Sequence, residues 1–345
     1  MAKTFKSLLG DDVVNTRTLL HEAIPITGTI VSGTYTDNNI KSFSHGMFQS
    51  VYDYPFLSSS ANHIFDVTYG ISSNKSSSAN TQNAKKLNIY NQMAQVLMGY
   101  NVSGNIRKFD SDGTLDDDAG TMNHCFFLNF SRLLTKDEIK KNSFRLQMWS
   151  GSHVPQNVDG PGHLKLGDYG SNNQFRTSPA GDYGLIYTSS EGTAATGSVG
   201  LVFYQAGIAV LTSSIFEGTF GTNAMGFGAN SASMDTAGIA GTIDQLANGL
   251  RHRLYDLDFN NTIELNSAIY FCRVNHNEFN YSANPTYVSA SKLVVKNNVN
   301  DLPVSYITSV GLYSPDNELL AVAKLSEPIR KDPNTELTLR VRLDY

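Results

Sequence analysis

"VGLVFYQAGIAVLTSSIF", residues 199–216, decides the fold. Val199 to Tyr204 and Ile208 to Phe216 are near-continuous apolar runs, separated only by Gln205-Ala206-Gly207. A tight turn joins antiparallel neighbours, and a run that is apolar at consecutive positions needs cover on both faces of its strand. The stretch therefore reads as a hairpin inside a sheet buried on both sides. "YGLIY" at 183–187 adds a further strand, reached through a Ser/Thr/Gly-rich loop. On the far side, 218–238 is rich in Gly and Ser; a loop of that length is either functional or ordered by a neighbour.

The C-terminal hundred residues read as antiparallel sheet. "YITSVGLY" and "ELLAVAKL" flank Ser314-Pro315-Asp316-Asn317, which is turn chemistry, so they form a hairpin. In "TELTLRVRLDY" (335–345), Leu337, Leu339, Val341, Leu343 and Tyr345 fall on one face. Glu336, Thr338, Arg340, Arg342 and Asp344 fall on the other, the pattern of a half-buried strand. Residues 262–274 also alternate, Ile269 and Phe271 against Tyr270, Cys272 and Val274. "NHNEFNYSANPTY" (275–287) follows as a loop, in which Asn side chains serve turn backbone and Pro285 fixes the chain after Asn284. Phe279, Tyr281 and Tyr287 suit pinning it to the core or to a partner. It reads as a joint, with His276 and Glu278 as loop residues.

Helices are few. Leu87, Ile89, Tyr90, Met93, Ala94 and Leu97 take helical spacing within 85–98, and Gly99 stops that helix. "TKDEIKK" offers a capping box, Thr135 with Glu138, for a short helix, and 242–250 a third, capped by Thr242. The expected fold class is mainly β with a few short helices (α+β): antiparallel, sandwich-like sheets and a C-terminal strand running to the end. The expected regions are a mixed α/β segment 1–150, a central β segment 151–240 with long loops, and an antiparallel β segment 241–345; one continuous domain would accommodate all three. The Ser/Asn-rich stretch 72–83 is the expected flexible surface loop.

Composition narrows the function. Charged residues make up 17% of the 345, below the usual quarter or so, and small polar residues take their place. The hydrophobic fraction of 40% supports a real core. A net charge of -5 argues against gripping nucleic acid. No apolar run approaches a membrane span, and "MAKTFKSLLGDDVV" does not read as a signal peptide. Cys125 and Cys272 sit in apolar strand-like runs and read as buried thiols folded in a reducing cytoplasm.

No Walker loop, HExxH, CxxC or G-x-S-x-G is present, and no two histidines stand at ligand spacing. "DSDGTLDDD" (110–118) is the one metal-like loop: Asp110 and Asp112 precede Gly113, and Asp116 and Asp118 would complete an oxygen shell for calcium. The closing Glu of an EF-hand is missing, and a solvated Asp-Gly hairpin tip is the competing reading. Tyr52, Asp53 and Tyr54 resemble a sugar-stacking patch, or equally a packed turn before Pro55. No residue is assigned a catalytic role, and no cofactor is expected.

Several of these stretches carry a resemblance. "EFNYSANPTY" (278–287) and the segment from Tyr306 to Tyr345 resemble the C-terminal end of structural proteins of tailed-bacteriophage virions, especially large contractile-tailed marine phages. "SHGMFQSVYDYPFLSSSANHIFDVTYG" (44–70), "NIYNQMAQVLMG" (88–99) and the 199–216 hairpin are similar to the same group, so the likeness spans most of 40–345. It implies a non-enzymatic virion component, assembled in the host cytoplasm and placed first at the tail or baseplate or as a fibre attachment. A neck or capsid-decorating protein is the alternative, and a tail-associated glycan-binding or glycan-cleaving protein the competing class. Its implied partners are other phage virion proteins and further copies of itself in a symmetric assembly, with Phe279, Tyr281, Tyr287, Arg340 and Arg342 as interface candidates.

Overall fold

The backbone of residues 199–212 is walled in by side chains on both sides. Its structure is known from a computed structural model describing residues 5–25, 39–73, 81–114, 120–149, 163–190, 193–216, 234–282, 288–289, 292–293, 298 and 300–345. The first elements are β1 (Val13–Pro25), β2 (Ile40–Ser42), β3 (Gln49–Tyr52), β4 (His63–Ile71), helix α1 (Thr81–Leu97) and β5 (His124–Phe130). One turn of helix, α2 (Arg132–Thr135), leads into β6 (Glu138–Ile139), β7 (Arg145–Trp149) and β8 (His163–Gly167). Next come β9 (Arg176–Ser178), β10 (Gly181–Ser190), β11 (Thr193–Phe203) and β12 (Ile208–Thr212). Helices α3 (Met234–Ala240) and α4 (Ile243–Arg253) precede the long β13 (Leu254–Val274). The remainder holds β14 (Val288–Ser289), β15 (Lys292–Leu293), β16 (Ser305–Tyr313), β17 (Leu319–Lys331) and β18 (Leu337–Asp344). The chain is thus mainly β, with antiparallel strands and a few short helices, as its sequence leads one to expect.

Two compact units result. One is Leu20–Ile263; the other combines Met1–Leu19 with Glu264–Tyr345. Both boundaries fall inside strands, β1 and β13.

In Leu20–Ile263 the sheet runs in the order β13-β7-β8-β10-β11-β12-β5-β4-β3-β2. Leu201, Phe203 and Val210 point into one apolar cluster, and Val202, Tyr204, Ala209 and Leu211 into another, all fully buried. β5 divides the same way, Cys125 and Phe127 against Phe126, Leu128 and Phe130. The central strands are covered on both faces, as the continuous apolar runs of 199–216 require. Gly207 closes the turn at φ +67°, and Gly200 is required by space, since a Cβ there would lie 2.3 Å from the Val210 carbonyl oxygen.

Two different covers do the work. On one face lies α1, whose Ile89, Tyr90, Ala94 and Leu97 pack against the Phe127 and Phe203 side. On the other face the sheet covers itself. β13 and β5 are six steps apart in strand order, roughly 29 Å in a flat sheet. Yet the rings of Phe259 on β13 and Phe130 on β5 have centroids 5.2 Å apart, so the sheet curls over a shared core. Helix α4 adds Leu246, Ala247 and Leu250 to that core.

Local expectations fare unevenly. α4 is capped as expected, with Thr242 and Gln245 bonding each other's backbone amides. α1 ends at Leu97, with Gly99 (φ +75°) just beyond, but begins at Thr81, so the end of the 72–83 stretch is helix; residues 74–80 lie outside the described residues. "TKDEIKK" does not form the expected helix. Thr135 is the last residue of α2, Lys136 turns to φ +55°, and Glu138 enters β6. Strand pairing of Glu138 and Ile139 with Asn261 and Thr262 outweighs the capping box there. Within 218–238, Met234 onward belongs to α3, and 217–233 lie outside the described residues.

One buried charge ties the helices together. Lys86, on α1 and fully buried, donates to the carbonyls of Gly238 (2.6 Å), Ile239 (3.3 Å) and Gly241 (2.5 Å), and to Asn83 Oδ1 (3.2 Å). It thereby satisfies two carbonyls in the last turn of α3 and that of Gly241 just beyond it. Burial pulls its pKa down to about 8. Lys86→Met fills the same space but leaves these carbonyls unserved, so urea unfolding should show a loss of about 2–3 kcal/mol. Unchanged stability would show that solvent reaches them.

Candidate functional site

In Met1–Leu19 with Glu264–Tyr345, polar groups fill the place that apolar ones occupy in the other unit. Lys331, the last residue of β17, is fully buried and donates to the carbonyls of His276 (3.1 Å) and Asp332 (2.7 Å) and to Asn280 Oδ1 (2.7 Å). Asn280 Nδ2 donates in turn to the His276 carbonyl (2.8 Å). Ser305, paired with Lys331 at the base of the β16–β17 ribbon, donates to the Phe279 carbonyl (2.5 Å). Lys6 pairs with the buried Glu278 (2.5 Å). The 275–280 loop is thus a joint that clamps the base of the ribbon, at the expense of holding Phe279 at φ +55°. The His276 ring meets the exposed Glu336 (3.1 Å), which this contact holds below the usual carboxylate range.

Above that joint the apolar side chains find little cover. Among the described residues, Ala268 and Val274 are the only buried apolar side chains of this unit; every other one belongs to Leu20–Ile263. On the ribbon Tyr306, Tyr313, Leu319, Leu320 and Val322 are all exposed. β18 alternates as its sequence indicates, but Leu337, Leu339, Val341 and Leu343 are only half-buried and Tyr345 is 70% exposed. A two-stranded ribbon is marginal by itself, and these exposed side chains leave its apolar surface in contact with water.

The interface candidates are distributed over this unit. Tyr281 is exposed and Phe279 half-buried in the joint. Arg340 lies on the exposed face of β18. Arg342 shares that face but is engaged, Nε donating to Asp344 Oδ1 (2.7 Å) and a terminal nitrogen to Ser267 Oγ (3.2 Å). Tyr287 lies outside the described residues.

The acidic loop brings Asp110 and Asp112 together, while Asp116 and Asp118 lie outside the described residues. Asp110 Oδ1 accepts from the amides of Asp112 (2.9 Å) and Gly113 (3.1 Å), and Asp112 Oδ1 from that of Thr114 (2.6 Å). Burial, and then the neighbouring Asp112 carboxyl, push Asp110 up to about 6, while the Thr114 amide and Asp110 hold Asp112 low. Both carboxylates are tied into the turn by its own backbone amides. No group of three or more His, Cys, Asp or Glu is placed to hold a metal among the described residues.

Residues of catalytic type also meet around Asp66, in the wrong order. Ser50 Oγ donates to Asp66 Oδ1 (2.6 Å) and His63 Nε2 reaches the same oxygen (2.8 Å), so the carboxylate stands where a serine nucleophile needs the imidazole. Asp53 is consumed by its turn, accepting from the amides of Tyr54 (2.8 Å) and Asn62 (2.6 Å) and from Asn62 Nδ2 (2.8 Å). Both thiols are pushed up by burial, away from nucleophilic character. Asp168, fully buried, accepts from the amides of Asn142 and Phe144, Ser171 Oγ, Tyr204 Oη and Arg145, which makes it a fastener of three segments.

No protein-family model, curated protein or solved structure matches this chain.

Two outcomes follow from these sites. The folded chain holds the Asp110 proton more tightly than the unfolded one, whose value is near 3.8. That contribution is fully present below about 3.8 and is lost as pH rises through about 6. Asp110→Asn keeps the turn without the titration, so its urea stability should change less between those values than that of the native chain; equal slopes would place the proton elsewhere. In the other unit, Lys331→Met should release the joint and make residues 275–280 protease-sensitive, whereas Arg342→Ala, on an exposed pair, should have no measurable effect on stability.

Proposed function

We propose that this chain is a non-enzymatic structural component of a bacteriophage virion, a tail, baseplate or fibre-attachment protein that acts through protein–protein contacts. One observation carries the assembly role: a unit of about a hundred residues whose described part buries only Ala268 and Val274 among its apolar side chains, and whose ribbon exposes Tyr306, Tyr313, Leu319, Leu320 and Val322. Such a unit gains little hydrophobic stabilisation alone, and a partner that covered even three of those side chains would add several kcal/mol at about 1.5–3 kcal/mol each. The resemblance of residues 278–287 and 306–345 to virion proteins of tailed phages supplies the setting. The partners are other virion proteins and further copies of the chain, met after folding in the host cytoplasm.

Hydrogen exchange tests this reading. In the isolated chain, amides of 305–331 should exchange far faster than those of β5, β11 and β12, and should become protected in the assembled particle. Protection of the ribbon in the free chain, equal to that of β11, would remove the basis for a partner. Steady release of reducing sugar from host-surface glycans by the pure protein, abolished by one carboxylate substitution, would overturn the non-enzymatic assignment.

A further inference from the structure

The ribbon has two free edges, and they are not equivalent. β16 and β17 pair only with each other among the described residues, so each presents an outer row of backbone N–H and C=O groups. The β17 edge is guarded. Pro328 lacks a donor, Lys324, Glu327 and Arg330 are exposed, and the register jumps from Ile329 to Lys324 opposite Ile307 and Ser309. Ser305–Tyr313 contains no charge and no proline. Of the two, the β16 edge is the one open to another strand.

Its residues also specify which strand. The sequence reads alike from both ends: Ser305-Tyr306-Ile307 going in, Leu312-Tyr313-Ser314 going out. Tyr306 and Tyr313 stand an odd number of residues apart, which in a regular strand would place them on opposite faces. Burial slips at the centre, where Thr308 and Ser309 are both exposed, and this returns both tyrosines to the exposed face and Ile307 and Leu312 to the half-buried one. In a two-fold antiparallel pairing, Tyr306 of one copy sits opposite Tyr313 of the other. Ile307 then meets Leu312, and every contact is made twice. No like charges face each other along the seam. The acidic tip, Asp316 and Glu318, is carried toward the base of the second ribbon, where Arg330 stands.

We propose that β16 is a homotypic edge, along which two copies of this chain join into a four-stranded antiparallel sheet in the order β17–β16–β16–β17. The proposal rests on the ribbon being a contact surface and identifies what it contacts. Sedimentation of the full chain from about 1 to 100 μM should show a monomer–dimer equilibrium. Tyr306→Lys with Tyr313→Lys sets like charges opposite each other twice and should weaken the dimer about tenfold or more. Tyr306→Lys with Tyr313→Glu sets opposite charges there and should restore it, which loss of folding could not do. A native chain that stays monomeric throughout, a Lys/Lys variant that still dimerises, or a Lys/Glu variant that stays apart would each overturn the proposal. Ribbon amides separate this from the broader reading: fast exchange in a chain that never dimerises, with protection in particles, sinks only the homotypic edge.

Discussion

Everything in Leu20–Ile263 answers to the need to bury both faces of β11 and β12. A strand apolar at every position cannot lie on a surface, so the sheet must be covered twice. α1 supplies one cover and the curl of the sheet the other, bringing Phe259 back against Phe130. Closeness of that order leaves no slack: Gly200 passes so near Val210 that no side chain fits, and Gly184 leaves room for the Tyr204 hydroxyl. The polar groups carried inside must then be met individually, Lys86 by carbonyls and Asp168 by donors from three segments.

The other unit solves the reverse problem. Its described residues form strands but bury few apolar side chains, and their order comes from directional bonds around Lys331 and from ion pairs such as Lys6–Glu278 and Asp12–Arg273. Hydrogen bonds of this kind fix geometry at modest net gain, about 1 kcal/mol each, so the ribbon is held in position more than it is stabilised. This division of labour is what the proposed assembly role would draw on.

How far the sequence discloses this depends on the range of the interaction. The 199–216 hairpin, the 314–317 turn, the alternation of 337–343 and the Thr242 cap were legible because each is set by residues close in sequence. The capping box at Thr135 misled for the converse reason: β6 pairs with Asn261 and Thr262, more than a hundred positions away, and sequence spacing carries no trace of that. The Asp168 fastener and the Lys331 clamp are equally non-local. Lys86 was within reach, because it falls four residues before Tyr90 on the buried stripe of α1, where a lysine has to find oxygen partners. Of the interface candidates, Tyr281 and Arg340 are exposed, whereas Arg342 is occupied by Asp344, a pairing that residues two apart on one strand face permit.

The make-up of the second unit has a consequence for the order of events at the ribosome. It needs Met1–Leu19 and Glu264–Tyr345 together, so its N-terminal part is made first and must wait while residues 20–263 are translated. At about 5–20 residues per second the delay is on the order of ten seconds to a minute, ample for the well-buried unit to fold in the meantime. The sticky ribbon comes into being only afterwards, on a chain already committed to its fold. If the ribbon joins copies as proposed, nascent neighbours on one messenger are thereby kept from pairing before each has folded.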